Sequence, residues 1–568
     1  MNMKNLFNVT QILIIAISAL LFVSCHNRTS SSKSVLTGWS SKDKAAGGFS
    51  TNQEYKGQVT PPGMVLIEGG SFTMGHVQDD VLFDWNTTPV KQQVRSFYID
   101  ESEITNAEYL FYLEWMEKVF PPSDENYKNI YSSAVPDTLV WRDVLGFNEL
   151  LTENYLRHPS YAEYPVVGVS WIQATQYCKW RSDRVNEKIL MDKGILNPLF
   201  ESDSLEVKGQ NNFTTDAYLV NPLLLYNGDS TIYRKGLPSN AKRKKGEPKP
   251  TRRSFTGRHV KVSDGILAPK YRLPTESEWE YAAKAIVEKR EYNTIRGRKK
   301  YAWDSKYTRN KEKKVQGDQL ANFKQGKGDY SGVPGWSNDG ADITIQVKSY
   351  DANAFGLYDM SGNVAEWVAD IYRPIVDNDA NDFNYFRGNI FTKKMIGKDG
   401  KVVMVDDASV EYDTLDNGKI IPKTLPGSIK YIPISKRDAY MRNNYEKAYN
   451  VDSKDGDLAS TKFYSKDEDE LETKPRMYNS PVKPKEIGES GFIIQQYDKE
   501  NRTTLISDKS RVYKGGSWKD REYWLDPSQR RYLPEYMATN YIGFRCATDR
   551  LGAMTYKRRK PTTTKVRY

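Results

Sequence analysis

Two carboxylates, Asp359 and Glu366, stand in a short stretch running from Asn353 to Asp370 that also carries Gly356, Gly362 and Asn363. The glycines admit backbone angles and close approaches that a Cβ would forbid, and Asn363 is one of the few other residues that tolerates a left-handed conformation. A shaped loop with hard oxygen donors and intervening main-chain carbonyls suits a structural calcium ion. The same residues equally describe a carboxylate turn without a metal, and residue type alone leaves both readings open. Other chemistry is sparse. The four histidines, His26, His76, His158 and His259, are nowhere paired at ligand spacing. Ser517 follows two glycines but has no His partner to activate it, so it reads as a turn hydroxyl. No catalytic residue is assigned.

The elements that must hold these residues belong to a chain of 568 residues, long enough for one core with insertions or for several domains. An aromatic share of 12% argues against disorder and for a loop-built, aromatic-rich fold. The net charge of +10 comes from 83 basic and 73 acidic residues that are interspersed, and no folded nucleic-acid motif accompanies them. No nucleic-acid partner is expected.

Lys4 precedes the apolar run Ile12 to Val23, which is short for a bilayer span and right for a signal-peptide core. It ends in Ser24-Cys25, similar to a bacterial lipobox, so residues 1–24 are expected to be removed and the Cys25 thiol acylated with palmitate-like chains. Residues 25–57 are rich in Ser, Thr, Lys and Gly and read as a flexible tether.

Beyond the tether, Met64 to Gly75 reads as strand, glycine turn and strand, and Pro89 to Ile99 as one further strand. Capping boxes at Thr105–Glu108, Ser170–Gln173 and Thr275–Glu278 each open a helix with an aromatic face: Tyr109, Tyr112, Leu113 and Met116 in the first, Tyr177, Cys178 and Trp180 in the second, Trp279 and Tyr281 in the third. Boxed helices among short strands indicate an α+β domain. Polar stretches at about 190–268, with basic runs Lys242–Lys245 and Lys249–Arg253, and at 372–508 read as insertions. Arg511 to Trp518 reads as an edge strand running into a glycine turn, and a basic tail occupies 551–568.

The blocks at 64–75, Val169–Trp171, Arg272–Glu280, Gly356–Trp367, Gly515–Trp518 and Gly543–Ala547, in this order, resemble the formylglycine-generating-enzyme (sulfatase-modifying factor) family. The resemblance implies that family's irregular α+β fold, related to C-type lectins, over residues 58–550. It implies a disulfide between Cys178 and Cys546. It also implies two calcium sites, one at Asp359, Gly362, Val364 and Glu366, the other at Asn322, Phe323, Asp339 and Ala341. The family's oxidase uses two copper-binding cysteines after Gly-Gly-Ser, where this chain has Asp520 and Leu525. A leucine cannot bind copper, so a pseudoenzyme without catalytic cofactor is expected.

Within the family the chain looks most like gliding-motility lipoproteins of Bacteroidota. That resemblance implies a scaffold for gliding and type IX protein secretion, working with other proteins of that machinery and with a paralogous lipoprotein of the same fold. No acidic residue closely follows Cys25, so the expected place is the outer membrane, facing the periplasm. An oxidase with an unrecognised site and a periplasmic glycan-binding module are the alternatives.

Overall fold

The computed structural model describes residues 57–75, 89–143, 146–197, 207–228, 232–237, 257–286, 299–325, 341–372, 392–433 and 509–552, with Thr87 and short strand fragments between them. Residues 261–265 stand apart as a short piece of their own, a 3-10 turn at Val262–Asp264 closed by Gly265 at positive φ. The fold described below is that of 57–260 and 266–568.

The first block folds as strands β1 (Met64–Ile67) and β2 (Gly70–Met74). Gly69 makes the turn, because a Cβ there would lie 2.5 Å from the Val94 carbonyl oxygen. The strand expected from Pro89 to Ile99 is two. Val90–Val94 (β3) pairs with β2, and after a break at Arg95–Ser96 the chain crosses as Phe97–Asp100 (β4) to pair with β1. Ser96 Oγ accepts from the Gly69 amide at 2.9 Å and pins the break.

Helix α1 (Asn106–Val119) buries Tyr109, Tyr112, Leu113 and Met116, the face its spacing anticipates. Its cap is half of the expected box. Thr105 accepts from the Glu108 amide, but the chain around Thr105 is already tied into a bridge with Pro165. Helices α2 (Lys128–Ala134) and α3 (Glu149–Asn154) follow, then α4 (Trp171–Asp192), whose Ser170–Gln173 box is complete. Next come α5 (Thr215–Val220), β5 (Tyr271–Arg272) and α6 (Glu276–Lys284), the last with a complete Thr275–Glu278 box.

The remaining strands used below are β6 (Ala365–Ile371), β7 (Thr392–Lys394), β8 (Tyr412–Thr414), β9 (Ile420–Pro422), β10 (Tyr431–Pro433), β11 (Ser510–Lys514), β12 (Arg531–Pro534), β13 (Ile542–Gly543) and β14 (Ala547–Asp549). Two four-stranded sheets carry the domain, in the orders β1-β4-β14-β5 and β12-β11-β6-β13. In the second, β13 runs parallel to β6 and the other pairs are antiparallel. Thus β11 is an interior strand, buried along its whole length, and not the edge strand its sequence suggested.

The sheets and helices are joined by aromatics. Tyr177 of α4 stacks on Tyr109 of α1 at 5.6 Å and meets Phe544, from the far end of the chain, edge-on at 5.3 Å. Two indoles are exchanged between blocks: Trp171 donates to the Val368 carbonyl at 2.8 Å, and Trp367 to the Val169 carbonyl at 3.0 Å.

Parts of the polar stretches pack together. The Gln210 amide donates to Asp407 at 2.8 Å, Asn212 to the Pro426 carbonyl at 3.0 Å and Thr214 to the Gly427 carbonyl at 3.1 Å. Phe213, Ala217, Tyr218 and Leu225 are fully buried in the main core, so this region of the chain is partly core and not only surface.

Trp367→Phe should keep an aromatic side chain but lose the indole N–H, orphaning the buried Val169 carbonyl and leaving a small cavity, and lower stability by about 1–3 kcal/mol or more in urea unfolding.

Candidate functional site

The loop that precedes β6 is locked by its backbone. Asp359 and Asn363 both sit at positive φ (55° and 58°), and Gly362 at 93°. A Cβ on Gly362 would lie 2.6 Å from the Asn322 carbonyl oxygen, so only glycine fits there. Asn363 holds the loop on both sides: its Oδ1 accepts from the Ile345 amide at 2.9 Å and its Nδ2 donates to Glu103 at 2.8 Å.

Three buried carboxylates and one guanidinium meet at this loop. Glu366 receives Arg545 in a two-pronged pair at 2.6 and 2.7 Å, and the Trp279 indole at 2.8 Å. Asp359 accepts from the Lys348 amide at 2.8 Å, while its Oδ1 is buried without a partner. Glu103 accepts from the Asn363 side chain and the Val364 amide. Burial, with the charges of Asp359 and Glu366, pushes the Glu103 carboxyl well up. Burial likewise raises Asp359 to about 6. Ionising all three acids against Arg545 would place an excess of negative charge in a dry place, which is why Glu103 and Asp359 are raised.

That excess and the orphaned Asp359 Oδ1 fit a divalent cation. Calcium would be held by Asp359 with the carbonyls of Gly362 and Val364, and would neutralise the excess. Glu366 is largely committed to Arg545 and Trp279, and would act there mainly as charge. Among the described residues, no three His, Cys, Asp or Glu side chains converge closely enough to hold a metal by themselves. In the second expected set, Asn322, Phe323 and Ala341 are buried. The Asn322 main-chain oxygen accepts from the Asn363 amide at 2.9 Å, so the two sets share a wall. Asp339 lies outside the described residues, as do Cys25, His26 and His76.

Cys178 on α4 and Cys546 beside β14 are brought together, both buried, with sulfurs 3.4 Å apart. A disulfide needs about 2.0 Å, so the structure holds two adjacent thiols. Burial, and then the neighbouring Cys546, pushes the Cys178 thiol well up, which disfavours the thiolate.

The segment after Gly-Gly-Ser is filled by other chemistry than copper ligation. Asp520 is gripped by Arg531 through two contacts of 2.6 Å each and accepts from Ser517 Oγ at 2.6 Å. Arg531 itself lies over the rings of Tyr513 and Trp524. Leu525 is fully buried in an apolar cluster with Tyr301, Ala321 and Phe323. Ser517 therefore donates to Asp520, a carboxylate already held by Arg531, and none of its hydrogen bonds is to a histidine. His158 accepts from the Ser160 amide to open a short 3-10 turn. His259 lies edge-on between Tyr218 and Tyr233, its pKa lowered by burial.

Residues 49–410, more than half of the chain, match the family described as sulfatase-modifying factor enzyme 1-like domain. The chain belongs to this family. A formylglycine-generating enzyme from Streptomyces coelicolor is 34% identical over 136 residues, 22% of this chain and 38% of that protein. The mouse formylglycine-generating enzyme is 23% identical over 358 residues, 57% of this chain and 66% of its own. The Chlamydia pneumoniae serine/threonine-protein kinase pkn1 is 29% identical over 192 residues, 32% of this chain and 28% of that one. The chain thus spans between about a quarter and two thirds of these relatives' lengths. PvdO from Pseudomonas aeruginosa superposes with a TM-score of 0.35 at 15% identity, covering 88% of this chain and 98% of that one.

The sulfatase-modifying-factor block Arg272–Glu280 does more than cap a helix, and sequence reasoning missed how. Glu276 and Glu280, one helical turn apart on α6, are fully buried. Lys514 of β11 reaches Glu280 at 2.7 Å and Glu276 at 3.3 Å, Lys284 reaches Glu280 at 2.7 Å, and Arg530 clasps Glu276 at 2.5 and 3.0 Å. Burial would raise Glu280, but Lys284 and Lys514 draw it down to about 2. Asp370, at the end of β6, accepts from the Glu276 amide through one oxygen and has no partner on the other. Burial first, then Glu276, pushes Asp370 up to about 7. The visible clue was Glu276 and Glu280, acids at i and i+4 that share a face of a helix whose other residues include Trp279, Tyr281 and two alanines.

Three outcomes follow from this sulfatase-modifying-factor core. A carboxyl raised in the folded state favours folding most below its unfolded value and loses that advantage as pH climbs to the folded value. Asp370 should therefore cost stability progressively from about pH 4 to pH 7. Asp370→Asn should remove that part of the slope, making the variant more stable than wild type at pH 8 by about 2–4 kcal/mol in chemical unfolding. Chelation should lower the melting temperature by several degrees, and Asp359→Ala should make melting insensitive to added calcium. Denatured, alkylated wild type should carry a Cys178–Cys546 bridge after growth in an oxidising compartment. Closure of so long a loop would then stabilise by roughly 4–5 kcal/mol, read as the loss in melting temperature on reduction.

Proposed function

We propose that this chain is a non-catalytic member of its family: an outer-membrane lipoprotein scaffold of the gliding machinery that also supports type IX secretion, of the kind called gliding-motility lipoprotein J in Bacteroidota. The observation that carries the non-catalytic part is the filling of the copper position. Asp520 is spent on Arg531 and Ser517, and Leu525 is packed among aromatic and apolar side chains. Neither offers a soft ligand to Cu(I). The lectin-like affinity of the fold belongs to the same reading, since it supplies a rigid loop-rich platform.

The gliding and secretion role is supported by the signal segment, Cys25, the tether and the polar stretches suited to protein contacts. Acylation at Cys25 would hold the chain in the outer membrane facing the periplasm, beside a paralogous lipoprotein and other proteins of the apparatus. Structural calcium at the Asp359 loop would stiffen the platform and take no part in chemistry.

Two measurements test this. The purified, copper-loaded chain should oxidise cysteine peptides no faster than buffer; oxygen-dependent turnover would sink the pseudoenzyme. Deletion of the gene should abolish both colony spreading and release of type IX cargo, and a deletion strain normal in both would refute the scaffold role.

A further inference from the structure

The chain after β7 folds into a short strand edge that is paired on one side only. It turns at Gly397 and Gly400 and returns as residues 401–405, where Val402 bridges Ile396 and Met404 bridges Ile429. Val403 and Val405 commit their main-chain groups to these neighbours. The Val403 amide donates to the Met395 carbonyl at 3.0 Å, and its carbonyl accepts from the Lys430 amide at 3.0 Å. The Val405 amide donates to the Ser428 carbonyl at 2.9 Å, and its carbonyl accepts from the Gly427 amide at 2.8 Å. In an antiparallel ladder the main-chain groups of alternate residues face opposite sides, so those of Val402 and Met404 face away from these partners. Among the described residues, no hydrogen bond reaches them. Beside this edge lies a cavity of about 370 Å³, whose lining includes Val402, Met404, Leu224, Asp399, Lys401 and Asp406. Ile396 and Leu223, next to lining residues, are 64% and 52% exposed.

We propose that residues 402–404 and the cavity beside them take up an extended segment of a partner protein as an added strand, with apolar side chains at every second position and a Lys or Arg between them. An open strand edge binds such a segment through the main chain, and the pockets beside it read alternate side chains. Val402 and Met404 pack their own side chains against the main core, so the edge is held in place before anything binds and little order has to be imposed on it. Apolar side chains of the incoming segment would cover Leu224 and the exposed Leu223 and Ile396. Asp399 and Asp406 are exposed, and among the described residues neither stands in an ion pair. Two carboxylates thus face the single ammonium of Lys401, which selects a basic occupant over an acidic one. A second copy of this chain fits less well. Pairing two such edges antiparallel about Val403 would set Asp406 of one copy beside Asp399 of the other, like charge against like. The proposal needs only the geometry of this edge and does not rest on a role in gliding or secretion.

The test offers the immobilised full chain a displayed library of random heptapeptides. The expected result is enrichment of sequences with apolar residues at alternate positions and Lys or Arg between them, with Asp and Glu depleted. A synthetic peptide from the enriched set is then compared by fluorescence polarisation with two N-methylated twins, which keep every side chain. Methyl groups on the alternate amides that face the edge should weaken binding at least about tenfold, and methyl groups on the other set should be tolerated. Because the protein is unaltered in this comparison, it does not depend on any variant folding. Asp399→Asn with Asp406→Asn should weaken binding severalfold, more at low salt than at high salt. Glu114→Gln with Glu117→Gln, on the exposed side of α1, should leave it unchanged. Absence of enrichment, equal loss from both methylation patterns, or binding untouched by the Asp399 and Asp406 pair of substitutions would overturn the proposal. Self-association of the chain that the same pair abolishes would assign the edge to a second copy and overturn it as well.

Discussion

A guanidinium with no exposure to water holds this domain together. Arg545 pairs with Glu366 on β6, donates to the Asp100 carbonyl at the end of β4 and donates to the Tyr358 carbonyl in the loop before β6. It thus joins both sheets to the loop, and Glu366 extends the link to α6 through Trp279. Removing either partner would strand a charge in a dry interior, which is far more harmful than losing a surface pair. The next residue repeats the pattern in neutral form: the Cys546 amide donates to Asp100, which also receives Arg181. A short C-terminal block therefore reaches the first sheet, the helix layer and the central loop.

The second buried charge cluster, Glu276, Glu280, Lys284, Lys514 and Arg530, does for α6 and β11 what Arg545 does for the loop. Such clusters are poor sources of net stability, because desolvation consumes much of the attraction. Their value lies in geometry: each partner is satisfied in one arrangement only. Next to them the Ser517–Asp520–Arg531 group and the buried Leu525 occupy the segment after Gly-Gly-Ser. That segment holds an ion pair and an apolar plug.

Local patterns made the helices legible. Tyr109, Tyr112, Leu113 and Met116 announced a buried face, and Ser170 and Thr275 announced complete caps. The glycine turn at Gly69 and the left-handed Asn363 were readable for the same reason, since each is set by near neighbours. What escaped notice depends on distant partners. The break at Arg95–Ser96 serves a crossing between two sheets, and the interior place of β11 is decided by β12, which follows it, and β6, far upstream. Glu103, Arg545 and Lys514 look like ordinary charges until the fold removes them from water. Phe213, Tyr218 and Leu225 lie in a stretch whose average polarity hid their burial. The loop carboxylates were legible as a pair, but not the guanidinium that claims Glu366.

The order of strands in the first sheet carries a kinetic meaning. β14, made of residues 547–549, lies between β4 and β5, so the sheet cannot be completed until nearly the whole chain exists. Sequence separation between these partners is several hundred residues, which places the domain among high-contact-order topologies that fold slowly. A chain emerging N-terminus first, whether from a ribosome or through a translocation pore, would present β1 and β4 long before their partner arrives. Until then the aromatic faces of α1 and α4 can stack on each other but have no Phe544 to close over them, which leaves apolar surface exposed to water. The position of one short strand thus makes completion of the first sheet a late event.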